Sequence, residues 1–265
     1  MKRNFKRVFV ASDSHCGHRV GLTPTQYQSR GDSKWEKLQF MLWTWFKEEV
    51  EKLKPYDIAI LNGDLIDGKG FRSGGSELIT ADRMMQTRIA FDAFRIVEAP
   101  KVRIMAGTPY HSGADEDLEQ RIVDLYLSDG IDCAFHGHGF YTINGHNLDV
   151  KHKISGSSVH HGRATPLLKE IDANAFWAMD DVEPMADIVI RGHVHYHLQT
   201  EQDGRYGFIL PSLQGLGDKY GSRQCSSRVD FGFLILDIPE DVAEKIEWDY
   251  RILPGIVQRT ESEVL

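Results

Sequence analysis

Three short apolar runs in this chain end alike, in "VASDSH" at residues 10–15, "LNGDLID" at 61–67 and "IRGHVH" at 190–195. Each run is rich in β-branched and aliphatic residues and too short for a helix, so it reads as a buried strand that stops at a polar, glycine-bearing loop. Between the first two lies "KWEKLQFMLWTWFKEEVEKLK", with Trp35, Leu38, Met41, Leu42, Trp45 and Val50 at roughly helical spacing. Ser33 offers that helix an N-cap and Pro55 closes it. Its aromatic residues are expected in the core. Strands joined by helical crossovers run parallel, and parallel sheets collect their ligands at the carboxyl ends of the strands. Here those ends carry carboxylates and imidazoles. Carboxylates gathered in this way repel one another and lose hydration, and a metal ion is the partner that offsets both costs.

The remaining segments extend the pattern. "ITADRMMQTRIAFDAFRIVE" predicts a second amphipathic helix ending before Pro100, "KVRIMAG" a third strand, and residues from about Asp115 to Leu127 a further helix. "GFYTI" and "HNLDVKH" flank Asn144-Gly145, a hairpin signal, and a helix is expected within 164–179. The last third, with "HLQTE", "RYGFIL", "FGFLILDI" and "KIEWDYRIL", alternates apolar and polar residues and reads as mostly antiparallel strands. This is an α/β protein with a largely parallel sheet and a second sheet or antiparallel extension packed on it. With 265 residues and 41% hydrophobic content, one domain with a sizeable core is the expectation.

Charge and cysteine content exclude several classes. Lys and Arg number 31 against 39 Asp and Glu, so there is no net attraction to polyanions, although a local basic patch remains compatible. Cys16, Cys133 and Cys225 are widely spaced and form no CxxC, which argues against a disulfide framework and a zinc knuckle. The N-terminal apolar run is shorter than a signal-peptide core, and no stretch approaches the ~20 residues of a membrane span. A soluble, cytoplasmic protein without a membrane partner is expected, with the oligomeric state left open.

The ordered set Asp13-x-His15, Gly63-Asp64-x-x-Asp67, a loop opening at Gly107, a lone His152 after a strand, and Gly192-His193-x-His195 resembles the calcineurin-like metallophosphoesterases over residues 7 to about 197. The resemblance implies an α/β/β/α sandwich of two mixed sheets flanked by helices. It also implies two divalent metal ions, one held by Asp13, His15, Asp64 and His195 and the other by Asp64, His152 and His193, with Asp64 bridging. Carboxylate and imidazole ligands without thiolate suit manganese first, with Fe, Zn, Ni or Mg as alternatives. Two such ions about 3.5–4 Å apart would share a hydroxide and clamp the phosphate oxygens for in-line hydrolysis of a phosphoester. Asp67 is expected to orient a ligand imidazole, or else to cap its loop.

The chain departs from the family at the third motif. "GTPYHSG" at 107–113 replaces the usual Gly-Asn-His-Asp or Glu, so Thr108 stands where the family has its metal-ligating asparagine. His111 then either reaches the leaving group as general acid or ligates the second ion itself. A similar "GT" loop is associated with phage and prophage enzymes, an analogy rather than a derivation. Arg72, Arg83 and Arg88 could meet phosphate, as could His18 and the "SSVHHGR" loop with Ser157, Ser158, His160, His161 and Arg163; solvated loops explain these equally well. His136, His138 and His146 are expected at the surface, and Cys16 in packing. Asp67 is followed by Gly68-Lys69-Gly70 and not by arginine, which disfavours a phosphoprotein phosphatase. A phosphodiesterase or nuclease acting on a phosphoester, with nucleic acid or a nucleotide as candidate substrate, is the leading reading. A phosphomonoesterase and a metal-binding module without turnover are the alternatives.

Overall fold

The computed structural model describes residues 3–29, 31, 33–113, 118–157, 159–217 and 229–254, the side chain of Arg72 excepted. Arg72's side chain, Ser158, Cys225 and the expected helix start near Asp115 therefore lie outside the described residues. Two mixed sheets face each other. The first contains β1 (Phe5–Ala11), β2 (Ile58–Asn62), β3 (Lys101–Met105), β4 (Asp132–His136), β10 (Gly232–Pro239) and β11 (Glu247–Ile252), in the order β11-β10-β1-β2-β3-β4. The second contains β5 (Gly139–Ile143), β6 (His146–Val150), β7 (Ile188–Arg191), β8 (Leu198–Gln202) and β9 (Arg205–Ile209), in the order β5-β6-β7-β9-β8.

In the first sheet β1, β2, β3 and β4 are parallel, and β10 and β11 extend it antiparallel beside β1. In the second, β6, β7 and β9 are parallel between antiparallel edge strands. Because successive side chains on a strand point to opposite faces, Val8 and Val10 enter the layer between the sheets, where they meet Ile188, Ile190, Phe208 and Leu234. Phe9 and Ala11 point the other way, to the core beneath α1 (Lys34–Leu53), α2 (Arg83–Arg95) and α4 (Gln120–Ser128). A smaller core lies under α5 (Thr165–Met179), where Leu167 and Ile171 pack on Val189 and Ile209. The result is the expected α/β/β/α sandwich. Among the described residues, no helix is long and apolar enough to cross a membrane.

Three details differ from the sequence reading. The inward stripe of α1 runs through Leu38, Leu42, Trp43, Phe46 and Val50, while Met41 faces solvent and Trp35 and Trp45 are only partly buried. The helix that was expected from Asp115 is described from Gln120. The strand β4, "DCAFH", was not anticipated, because this parallel edge strand is only five residues long and mostly half-buried. The Ser33 N-cap formed as expected, completed by Glu36 into a capping box, and so did the Asn144-Gly145 turn, with its left-handed backbone.

Candidate metal centre

Backbone pairing brings the strand-end loops together before any side chain acts. Past β1 and β2, the parallel ladder continues as single bonds, with Asp13 N–H donating to Gly63 O (3.0 Å), His15 N–H to Asp64 O (3.0 Å) and Cys16 N–H to Leu65 O (2.9 Å). The loop after β7 joins from the second sheet: Gly192 N–H donates to His152 O at 2.8 Å, and His193 N–H to Asp13 Oδ2 at 3.0 Å. Among the described residues, nine non-glycine residues have left-handed backbones, and Asp13, His15, Asp64, His193 and His195 are five of them. Each such residue costs about 1 kcal/mol or more, and strain of this kind concentrates at functional sites. Glycines make the close approach feasible: a Cβ at Gly63, already at φ +73, would lie 2.7 Å from the His152 ring, and one at Gly107 would strike Asp64.

The side chains so positioned converge. Candidate ligand atoms of Asp13, Asp64, His152 and His193 lie within 4.8 Å of one another, as do those of Asp13, His15 and His195, and those of His15, Asp64 and His111. All six proposed metal ligands are thus assembled. Asp64 joins two of these groups, as a bridging residue would; Asp13 and His15 each join two as well, which the motifs did not suggest. Nε2 of His152 is 3.0 Å from Asp64 Oδ2, Nε2 of His195 is 3.1 Å from Asp13 Oδ1, and Nδ1 of His193 is 4.0 Å from Asp64 Oδ2.

The partners behind these imidazoles fix which nitrogen faces the centre. Nδ1–H of His152 donates to the main-chain oxygen of Asn62 at 2.6 Å, leaving Nε2 as the acceptor. Nδ1 of His15 faces Asp67 Oδ1 at 3.3 Å, so Asp67 stands behind a candidate ligand. Thr108 does not present itself in place of the missing asparagine. Its N–H donates to Asp64 Oδ1 at 2.6 Å, and its hydroxyl reaches both Asp64 oxygens at 3.0 and 3.1 Å. Glu119, which the sequence did not single out, ties the same loops: its two oxygens accept from Leu65 N–H (2.7 Å) and Gly107 N–H (2.6 Å).

Whether the site suits cations is answered by its unsatisfied atoms. Asp13 Oδ1, both ring nitrogens of His15 and Nε2 of His152 are buried without an aligned hydrogen bond among the described residues. Buried polar atoms are rarely left so, and four in one cluster fit a missing cation. The protonation pattern agrees. Burial alone would raise the Asp13 and Asp64 carboxyls, but the neighbouring imidazoles, His152 foremost, hold both well below the usual carboxylate range. Against the opposing effect of burial, Asp13 and Asp67 push His15 up to about 10, and Asp13 and Asp64 push His152 up to about 9. In the metal-free chain, imidazolium protons supply the positive charge that the buried carboxylates need.

This has a measurable consequence. Relative to an ordinary value of 6.5, both raised histidines stabilise the metal-free fold fully below about pH 6.5, and that contribution fades as pH rises through about 9 and 10. Chelated protein is therefore expected to melt at a lower temperature at pH 9 than at pH 6. Metal binding must displace these protons, so calorimetry at pH 7 in buffers of different ionisation enthalpy should show proton release on loading. No proton release and a flat melting profile would contradict the assignment of His15 and His152.

Other expected residues fall in and out of the site. A cavity of about 370 Å³ opens over the cluster and is lined by His15, Asp64, His111, His193 and His195, with His18 and Glu77 on one side. His111 sits on a short helical turn, α3 (Pro109–Ser112), with its ring 4.4 Å from that of His15 and its Nδ1 2.8 Å from Asp67 O. It groups with His15 and Asp64, a set that could itself hold an ion, and not with His152 and His193. Burial and the charge of His15 hold it down to about 4.

His197 is turned to Asp230, 2.7 Å away. Cys16 is buried with its thiol donating to Leu22 O, and burial pushes it up to about 12, as befits a packing residue. His160 and His161 are exposed on a 3-10 turn, and Arg163 lies over the Tyr196 ring. Arg88 pairs with Asp92, and Arg83 lines a separate depression with Asp82 and Gln120. His138, expected at the surface, is held 2.7 Å from the buried Asp149, which binds the fully buried Arg191 just ahead of the Gly192 loop. His136 and His146 are half-buried.

No protein-family model matches the chain, and no curated protein matches it. Several solved structures are similar in backbone. Vps29 of Chaetomium thermophilum aligns with a TM-score of 0.49 at 11% identity, over 93% of this chain and 97% of its own. An archaeal phosphodiesterase aligns with a TM-score of 0.48 at 12% identity, over 93% and 99%. The Zn-complexed Vps29 of Entamoeba histolytica aligns with a TM-score of 0.45 at 14% identity, over 93% and 98%. The two-sheet sandwich of the present chain and its His/Asp cluster, which could hold metal ions, agree with what its motifs implied.

Proposed function

We propose that the protein is a metal-dependent phosphoesterase that uses two divalent ions to hydrolyse phosphodiesters of nucleotides or nucleic acid. The observation that carries this reading is the convergence of Asp13, His15, Asp64, His152, His193 and His195, with buried carboxylate and imidazole atoms that lack an aligned hydrogen bond among the described residues. In this assignment Asp13, His15, Asp64 and His195 hold one ion and Asp64, His152 and His193 the other. When bound, such ions supply a water nucleophile at neutral pH and neutralise phosphate charge.

The chain supplies the rest. Asp67 and the Asn62 carbonyl set the tautomers of His15 and His152, and Thr108 keeps the Asp64 carboxylate in one orientation. His111, its Nδ1–H held by the Asp67 carbonyl, turns its other nitrogen to the cavity; protonated there once a phosphoester is bound, the imidazolium gives that proton to the leaving oxygen and is left neutral. The negative charge of a bound phosphoester opposes the burial that lowers its affinity for that proton.

Purified protein supplied with manganese is expected to hydrolyse bis(p-nitrophenyl) phosphate and to be silenced by chelation. Turnover that survives exhaustive chelation would reject the metal-dependent reading. A higher kcat/KM on p-nitrophenyl phosphate would favour a monoesterase instead.

A further inference from the structure

We propose that Phe71 and Tyr110 form a stacking platform for one unpaired nucleobase at the mouth of the metal cavity, so that the substrate is a nucleotide unit read singly and not a duplex. The inference rests on the phosphodiesterase reading and adds to it the part of the substrate that lies beyond the phosphate.

Phe71 is 65% exposed, so a ligand can reach its ring. It lies beside the cavity, edge to face with Tyr110 at 6.1 Å between ring centroids. Tyr110 lines the cavity, and its ring is 4.7 Å from that of His111, which neighbours His15. The aromatic pair is thus one residue removed from the proposed proton donor and next to the proposed ion site. Lys69 places its ammonium 5.9 Å from the Phe71 ring, giving the same rim a positive charge for a flanking phosphate.

The segment is shaped to present the ring. Gly68, Gly70 and Gly74 all have left-handed backbones, and Phe71 opens a 3-10 turn between the last two. A planar group carried a few ångströms from phosphorus is what such a platform would grip, and a nucleobase is that group. Size and charge agree. A cavity of about 370 Å³ accommodates about one nucleotide, and a net charge of -8 gives no general attraction to duplex phosphates.

The test measures binding of AMP and of ribose 5-phosphate to the manganese-loaded full chain, two probes that differ only in the base. Wild type is expected to bind AMP about 5- to 150-fold more tightly, the range that stacking one base on an aromatic side chain supplies. Phe71→Ala and Tyr110→Ala should each reduce this ratio severalfold, and Phe71→Trp should keep it. Equal affinity of wild type for both probes would overturn the platform, as would a ratio that both alanine variants retain. Because binding is read without turnover, a chain that hydrolyses no phosphoester but still prefers AMP sinks the catalytic reading and leaves the platform standing. Conversely, turnover of nitrophenyl esters without base preference keeps the enzyme and removes the platform.

Discussion

Asp64→Asn is expected to lower phosphodiesterase turnover by about 10³-fold or more and to reduce the content of both ions together. The size follows from its place. Its carboxylate is shared by two of the three ligand groups, is 3.0 Å from Nε2 of His152, and is held by Thr108 through main chain and side chain. Removing a shared negative charge weakens each ion, and the loss of several kcal/mol of transition-state charge stabilisation corresponds to roughly that factor. His152→Ala and His193→Ala should instead lower the content of one ion per chain, because each is assigned to the second ion alone. Metal analysis of purified variants separates the cases. Near-normal rate and metal content in Asp64→Asn would mean that the centre lies elsewhere.

His111→Ala should cost about 10²–10⁴-fold on an alkyl or nucleotide diester, and far less on bis(p-nitrophenyl) phosphate. A general acid matters only where the leaving oxygen needs a proton. Nitrophenolate leaves almost unaided and an alkoxide does not. The basic limb of the pH profile for the alkyl substrate should disappear in the variant, while two ions remain bound. Equal losses on both substrates, with one ion missing, would make His111 a ligand. Metal analysis decides the case, because His111 also groups with His15 and Asp64 in a set that could hold an ion.

Sequence patterns were most informative where a local rule sufficed. The strands β1, β2, β3 and β7 each had a short apolar run and a polar stop, and their loops delivered Asp13, His15, Asp64, His193 and His195 to one place. Asn144-Gly145 marked a hairpin because its left-handed backbone favours those residues. Features that depend on distant partners left no local mark. Nothing around Glu119 shows that its carboxylate accepts from Leu65 and Gly107 in two other loops, raised by burial and the charge of Asp64 to about 7. The main-chain oxygen of Asn62 that orients His152 has no side-chain signature at all.

The left-handed backbone of the ligand residues was equally hidden, since propensity assigns such positions to glycine and only the assembled site compels Asp13 or His195 to adopt them. In α1 the expected stripe was right in part. Leu38, Leu42 and Val50 lie on the expected stripe, but Trp43 and Phe46 complete it, Phe46 against Phe9 and Phe233, while Trp45, which also meets Phe233, is only partly buried.

Anomalous diffraction from crystals of manganese-loaded protein tests the central claim most directly. The expected result is two peaks per chain inside the strand-end cluster, one bonded by Asp13, His15 and His195, the other by His152 and His193, with Asp64 reaching both. A single peak, or peaks bound by other residues, would contradict the dinuclear centre on which the proposed chemistry depends.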